Sequence, residues 1–143
     1  MTSRPSRIVS EKARREAAVT TASLPLHEVQ RIHRIAEESA RRHPSAASTQ
    51  CLYVIEVERL DPSIAYDFYV GQTAHTPEHR LQQHSGGTPT AGQDFRRGRT
   101  RAVRLRYDLM AGLPRFHDRD SAEQAEKLLT EIVTRYIGPA YSR

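Results

Sequence analysis

Two short stretches of this chain, residues 51–58 and 66–71, read as β-strands separated only by a turn containing Asp61-Pro62. In the first, Tyr53, Ile55 and Val57 fall on one face of an extended backbone, while Glu56 and Glu58 fall on the other. Strands this close in sequence pair as a long-looped hairpin, so the two are expected to be antiparallel neighbours. Helical periodicity flanks the hairpin on both sides. That combination predicts an α/β (α+β) fold, a sheet that needs helices to cover it.

Before the hairpin, Leu26, Val29, Ile32 and Ala36 recur at helical spacing within residues 24–42, with Ser23 as the candidate N-cap and Pro25 in the first turn. The Pro/Ala/Ser stretch 44–49 stops this helix. After the hairpin, Thr76-Pro77 opens a short helix that Gly86-Gly87 closes, which puts Arg80 and His84 on one face. Residues 86–100 read as a flexible basic loop. Residues 101–107 alternate again, with Val103, Leu105 and Tyr107 on one face and Arg104 and Arg106 on the other. A last helix is expected to start at Asp120 or Ser121, with Glu123 or Gln124 completing a capping box, and to run to about Ile137 before Gly138-Pro139. Its inward stripe reads Ala122, Ala125, Leu129, Ile132 and Tyr136.

The predicted architecture is therefore a small central, mainly antiparallel three-stranded sheet flanked by helices, with an N-terminal helical extension. Residues 1–22 read as a disordered or partly helical basic tail, 23–49 as an amphipathic helix and linker, and 50–143 as the main domain. A length of 143 residues suits one core and not two. No apolar run approaches the ~20 residues of a membrane span, and the Arg- and Ser-rich N-terminus has no apolar signal core, so an intracellular (cytoplasmic) location is expected. Cys51 is the lone cysteine, which excludes an internal disulfide and a Cys-based zinc site.

Charge is unevenly spread. The net +5 conceals a segment, residues 80–106, with seven arginines against the single acid Asp94. Such a distribution suits a surface aimed at a polyanion. Glu126 stands beside Ala122 and Leu129 at the margin of the last helix's apolar stripe, and a carboxylate drawn toward a core needs a metal ion or an arginine. The planar guanidinium of Arg80 is suited to holding a phosphate in bidentate fashion. His75, His79 and His84 crowd one segment, yet no cysteine or well-spaced carboxylate completes a zinc ligand set.

Four separated elements, in order, carry a resemblance: LYVIEV from Leu52, FYVGQT from Phe68, RLQQH from Arg80 and the Ala122-to-Glu126 spacing. Together they resemble the GIY-YIG nuclease family over about residues 51–138. Three departures stand out: Cys51-Leu52 replaces Gly-Ile, the two tyrosine motifs are farther apart than usual, and Ser142 stands where many members have asparagine. The resemblance implies a DNA endonuclease, RNA not being excluded, that hydrolyses phosphodiesters with one divalent ion, Mg²⁺ or Mn²⁺. It implies that Tyr53, Tyr69, Arg80, His84 and Glu126 are catalytic and that Glu126 holds the metal. Arg96, Arg97, Arg99, Arg101, Arg104 and Arg106 are then candidates for phosphate-backbone contacts. Two other readings fit the sequence. One is a catalytically inactive nucleic-acid-binding module of the same fold; the other is an interaction protein that uses the 24–42 helix to dimerise or recruit a partner.

Overall fold

In the computed structural model, residues 24–45, 49–86 and 92–143 are described. The basic tail 1–22, the Ser23 cap, Gly87 and most of the glycine-rich part of the 86–100 loop lie outside the described residues. Helix α1 spans Leu26–Arg42, β1 Gln50–Arg59, β2 Phe68–Thr73, α2 Pro77–Ser85 and α3 Gln93–Arg96. Then come β3 Thr100–Leu105, α4 Tyr107–Met110, β4 Arg115–Phe116, α5 Arg119–Tyr136 and β5 Ala140–Ser142.

The sheet among these residues is five-stranded and mixed, larger than the three antiparallel strands expected. Its order is β3-β1-β2-β5, with β4 pairing the start of β1. β1 is antiparallel to both β2 and β3, and β5 runs parallel to β2, with Phe68 opposite Ala140, Tyr69 opposite Tyr141 and Val70 opposite Ser142. β5 therefore covers only the first half of β2. The stretch Gly71–Thr73 has no β5 residue beside it, and a cleft opens along that edge.

Both faces of the hairpin are buried, which follows from β1 carrying apolar residues at almost every position. Leu52, Val54, Phe68 and Val70 pack against α1 and α5 through Ile32, Ala125, Leu129 and Val133. Tyr53, Ile55, Val57 and Tyr69 form the opposite cluster, with Phe95 of α3 and Leu105 of β3. The expected shared face of Tyr53, Ile55 and Val57 is thus observed.

Several local expectations are corrected. Val103 is 43% exposed and not an inward residue. Val57 pairs with Ala102 whereas Glu56 pairs with Arg104, so Val103 is the extra residue of a bulge, and a bulge reverses the alternation on either side of it. Tyr107 has left the strand to begin α4. The cap of α5 is Asp118, whose carboxylate accepts from the Ser121 backbone N–H at 3.0 Å. The inward stripe holds from Ala122 to Ile132 but ends on Val133, which is buried, and not on Tyr136, which is 41% exposed. In α1, Leu26 is 71% exposed and Leu24 takes its place in the core.

The rest of α1's apolar face, Val29, Ile32 and Ala36, is buried in the same cluster as α5. Ser39 joins the two helices further by donating to the Asp118 carboxylate and accepting from the His117 N–H. This helix belongs to the main core, and its stripe is not free to recruit a partner. Ile32→Ala is expected to cost about 2–5 kcal/mol within a single cooperative urea transition. A loss below ~0.5 kcal/mol, or two separate transitions, would show that α1 is an appendage.

Candidate active site

β1, β2, α2 and α5 each send side chains into one cleft of about 680 Å³. Tyr53, Tyr69 and Gly71 line it from the sheet, Arg80 from α2, and Arg119, Glu123 and Glu126 from α5. Alternation places Gln72 on the opposite face of β2 from Tyr69 and Gly71, yet all three line the cleft. The cleft wraps round the edge that β5 leaves open, which is how a residue of α5 meets residues across the sheet.

Gly71 lies opposite Tyr53 in the β1–β2 register. A Cβ at position 71 would stand 2.3 Å from the Tyr53 ring and hydroxyl, so the tyrosine occupies space that only glycine leaves. The Tyr53 hydroxyl is 3.0 Å from His84 Nε2, and Arg80 Nε–H donates to it at 3.4 Å. Thr76, accepting from the His79 N–H, caps α2 and fixes the helix that carries both partners.

The proton positions follow from one more contact. The backbone N–H of Gly92 donates to His84 Nδ1 at 3.0 Å. Nδ1 must then be the bare nitrogen, and a neutral ring carries its proton on Nε2. Burial pushes the His84 pKa down to about 4, and the Arg80 cation adds to this, so the ring is neutral near pH 7. Nε2–H therefore donates to Tyr53. With both lone pairs of the phenol oxygen occupied, by His84 and Arg80, the Tyr53 O–H is left to point into the cleft. Burial raises the Tyr53 pKa above the usual phenol value against the pull of Arg80, and burial likewise raises that of Tyr69.

Glu126 is 6% exposed. Burial lifts its pKa to about 7, and the carboxylate of Glu123 adds to the rise. The side chain of Gln72 hydrogen-bonds to it, while Lys127 and Arg143 act on it through their charge. Among the described residues it forms no salt bridge, which leaves a buried carboxylate short of a cation. Gln72 Oε1 is also buried without a hydrogen-bond partner. The carboxylate of Glu126 is an oxygen donor of the kind that suits a hard divalent ion. No group of three or more His, Cys, Asp or Glu side chains among the described residues is placed to hold a metal, so water and substrate would complete the coordination of any such ion.

The five residues proposed as catalytic are thus partly joined by hydrogen bonds and partly gathered by the cleft. The arginines are distributed differently. Arg101 pairs with Glu58 at 3.1 Å, Arg104 with Glu56 at 3.3 Å, and Arg106 with Glu56 at 3.1 Å and Asp108 at 2.8 Å. Arg99 lies 3.8 Å from Asp94. Arg96, the last residue of α3, and Arg97, its C-cap, are exposed. None of the six lines the cleft, whose cations are Arg80, Arg119 and Arg143.

Sequence reasoning missed Arg119, Glu123, Gln72 and Arg143. Arg119, Glu123 and Glu126 are spaced four and three residues apart on α5, a signal hidden by assigning Glu123 to a capping box. Ser142, in the position where asparagine is common in the family it resembles, pairs with Val70 and does not line the cleft. No helix of the described residues is long and apolar enough to cross a membrane. The chain matches no protein-family model, no curated protein and no solved structure.

The Glu126 pKa makes a stability prediction. Between pH 4.5 and about 7 the folded protein holds a proton that the unfolded chain has released, so stability falls as pH rises through this window and the deficit is complete above it. In EDTA, Glu126→Gln is expected to raise stability at pH 8 by at most about 3 kcal/mol and to change it little at pH 4.5. Urea titrations at the two pH values test this. A loss of stability at pH 8 would mean that the carboxylate already has its countercharge.

Proposed function

We propose that this chain is a metal-dependent endonuclease of the GIY-YIG type, hydrolysing phosphodiester bonds in DNA. The observation that supports it most is the convergence of Tyr53, Arg80 and His84, in direct hydrogen-bond contact, with Glu126 in a cleft flanked by further cations. A phosphodiester carries one negative charge that grows as water adds to phosphorus, and the site offers what that change needs.

Arg80 sits at the cleft wall with its Nε on Tyr53, and its guanidinium stabilises the charge that develops on the non-bridging oxygens. Arg119 and Arg143 bind the phosphate and raise its local concentration. The Tyr53 O–H is a fixed dipole at the cleft wall, suited to orienting the attacking water or a phosphate oxygen. As a phenol with a raised pKa, it orients more readily than it deprotonates. His84 is a positioning residue: its fixed tautomer turns the Tyr53 proton outward. Tyr69 packs edge-on against His84, with ring centroids 5.2 Å apart, and holds that ring.

Glu126 would hold one Mg²⁺ or Mn²⁺ through its carboxylate. When bound, such an ion acidifies a water and neutralises phosphate charge. In the balanced step, a water oxygen bonds to phosphorus, the P–O bond to the leaving sugar breaks, and the water's proton leaves while the leaving oxygen gains one. The exposed Arg96 and Arg97, at the end of α3, whose Phe95 packs on the Tyr53 and Tyr69 side of the sheet, are assigned to phosphates farther along the strand. Arg101, Arg104 and Arg106 are assigned to the sheet, where their acids hold them.

The test is cleavage of supercoiled plasmid and a panel of branched DNAs, with RNA counterparts, in Mg²⁺ or Mn²⁺ against EDTA. Arg80→Ala is expected to lower turnover by about 10²–10³-fold, and Glu126→Gln to abolish metal-dependent cleavage while leaving salt-sensitive binding. Activity at limiting metal should rise with pH through about 7 as Glu126 ionises, and the midpoint should move down as metal is added. Binding without cleavage in either metal would instead support a catalytically inactive nucleic-acid-binding module.

A further inference from the structure

The parallel pairing of β5 sets Tyr141 directly beside Tyr69, which lines the cleft. The Tyr141 ring is 44% exposed. It stacks on Tyr66, with centroids 5.0 Å apart and planes 19° from parallel, and lies 6.2 Å from the Tyr69 ring. Tyr66 is a fixed base for that stack: it is buried, and its O–H donates to the Asp94 carboxylate at 2.6 Å. Two residues beyond Tyr141, Arg143 lines the cleft.

A single exposed aromatic residue needs no explanation. This one differs in two respects. It is held rigid by a ring beneath it, and it stands beside a guanidinium at a cleft suited to phosphate. An aromatic ring on β5 and an arginine two residues further along the chain match the spacing logic of single-stranded nucleic-acid recognition, in which a base stacks and its phosphate meets a cation. A base inside a duplex has both faces already stacked, so only an unpaired one can present a face to Tyr141.

On the proposed nuclease reading, we infer that Tyr141, backed by Tyr66, is a stacking subsite for an unpaired nucleobase adjacent to the phosphate in the cleft, with Arg143 holding that nucleotide's phosphate. The subsite makes the protein select overhangs, flaps or other disrupted duplexes over continuous ones. It reads the state of the base and not its identity, because every base offers a π-face.

Full-length protein in EDTA is titrated with two fluorescent DNAs, one fully paired and one with a single-stranded overhang, each carrying 2-aminopurine at successive positions. The overhang is expected to bind more tightly, with one position whose fluorescence is quenched by the wild type. Tyr141→Leu should weaken overhang binding about 5- to 100-fold and remove the quenching, with duplex affinity changed less than about twofold. Tyr141→Trp should restore both. Equal affinity of wild type and Tyr141→Leu for the overhang, or equal losses on both DNAs with an unchanged thermal melt, overturns the subsite. Cleavage of the overhang DNA or of plasmid by the wild type in Mg²⁺ separates the two ideas. Cleavage without any Tyr141 effect sinks the subsite alone, Tyr141-dependent overhang binding without cleavage sinks the nuclease alone, and neither binding nor cleavage sinks both.

Discussion

The ring of Tyr53 stands in the space that a side chain at position 71 would need, and the arrangement of the cleft depends on that close approach. Because Gly71 faces Tyr53 across the antiparallel ladder, the ring can lie flat along β2 and carry its hydroxyl to α2. There it meets His84 and Arg80, two residues one helical turn apart, which share a face only because Thr76 and Pro77 start the helix where they do. His84 in turn takes its proton arrangement from the Gly92 N–H. Strand register, helix start and loop position thus converge on one oxygen atom. None of these three features is chemically active, yet each fixes the direction in which the Tyr53 proton points.

The same site works against the fold. A glutamate 6% exposed, with its pKa lifted to about 7, and a histidine pushed down to about 4 are both held away from their solution behaviour. Their pH dependences have opposite signs. As pH falls from 6.5 toward 4, the unfolded chain gains a proton at His84 that the folded state refuses, which destabilises the fold; over much of the same range Glu126 gains its proton preferentially in the folded state, which stabilises it. The two largely offset each other below neutrality. Above pH 7 His84 is neutral in both states, and the uncompensated charge of Glu126 remains. A buried carboxylate facing a cleft is stabilised by any cation brought beside it.

Much of the fold was legible because β1 and β2 state their pairing twice, once in alternation and once in the short turn between them. Arg80 and Glu126 stood out from their helix positions, whereas Tyr53, Tyr69 and His84 became site candidates only through the resemblance to the GIY-YIG family. What was missed had local causes. β4 has two residues and β5 three, too few to show any period, so the sheet grew from three expected strands to five. The bulge at Val103 reversed a face without changing composition. Asp118 took the capping role because its carboxylate reaches the Ser121 N–H, and that choice freed Glu123 for the cleft. The arginine-rich segment looked unpaired because its acids lie 43 to 50 residues away.

That last point changes how the charge pattern should be understood. Local net charge counts neighbours in sequence, whereas a sheet pairs residues across strands, so Glu56 and Glu58 neutralise Arg101, Arg104 and Arg106 in space. The arginines then form two populations. On the face turned toward α1 and α5, arginines are cross-strand partners, and Arg106, with its guanidinium 5.3 Å from the Phe68 ring centroid, also covers the core. At the open edge of β2, Arg80, Arg119 and Arg143 face the cleft instead. The division follows from the topology: β5 is short, so it seals the half of β2 nearest the core and leaves the other half for charge. A longer β5 would protect the edge better and would also close the gap through which Glu126 reaches the tyrosines. The incomplete strand pairing that leaves the sheet open here is the same feature that lets residues from both of its faces meet in one cleft.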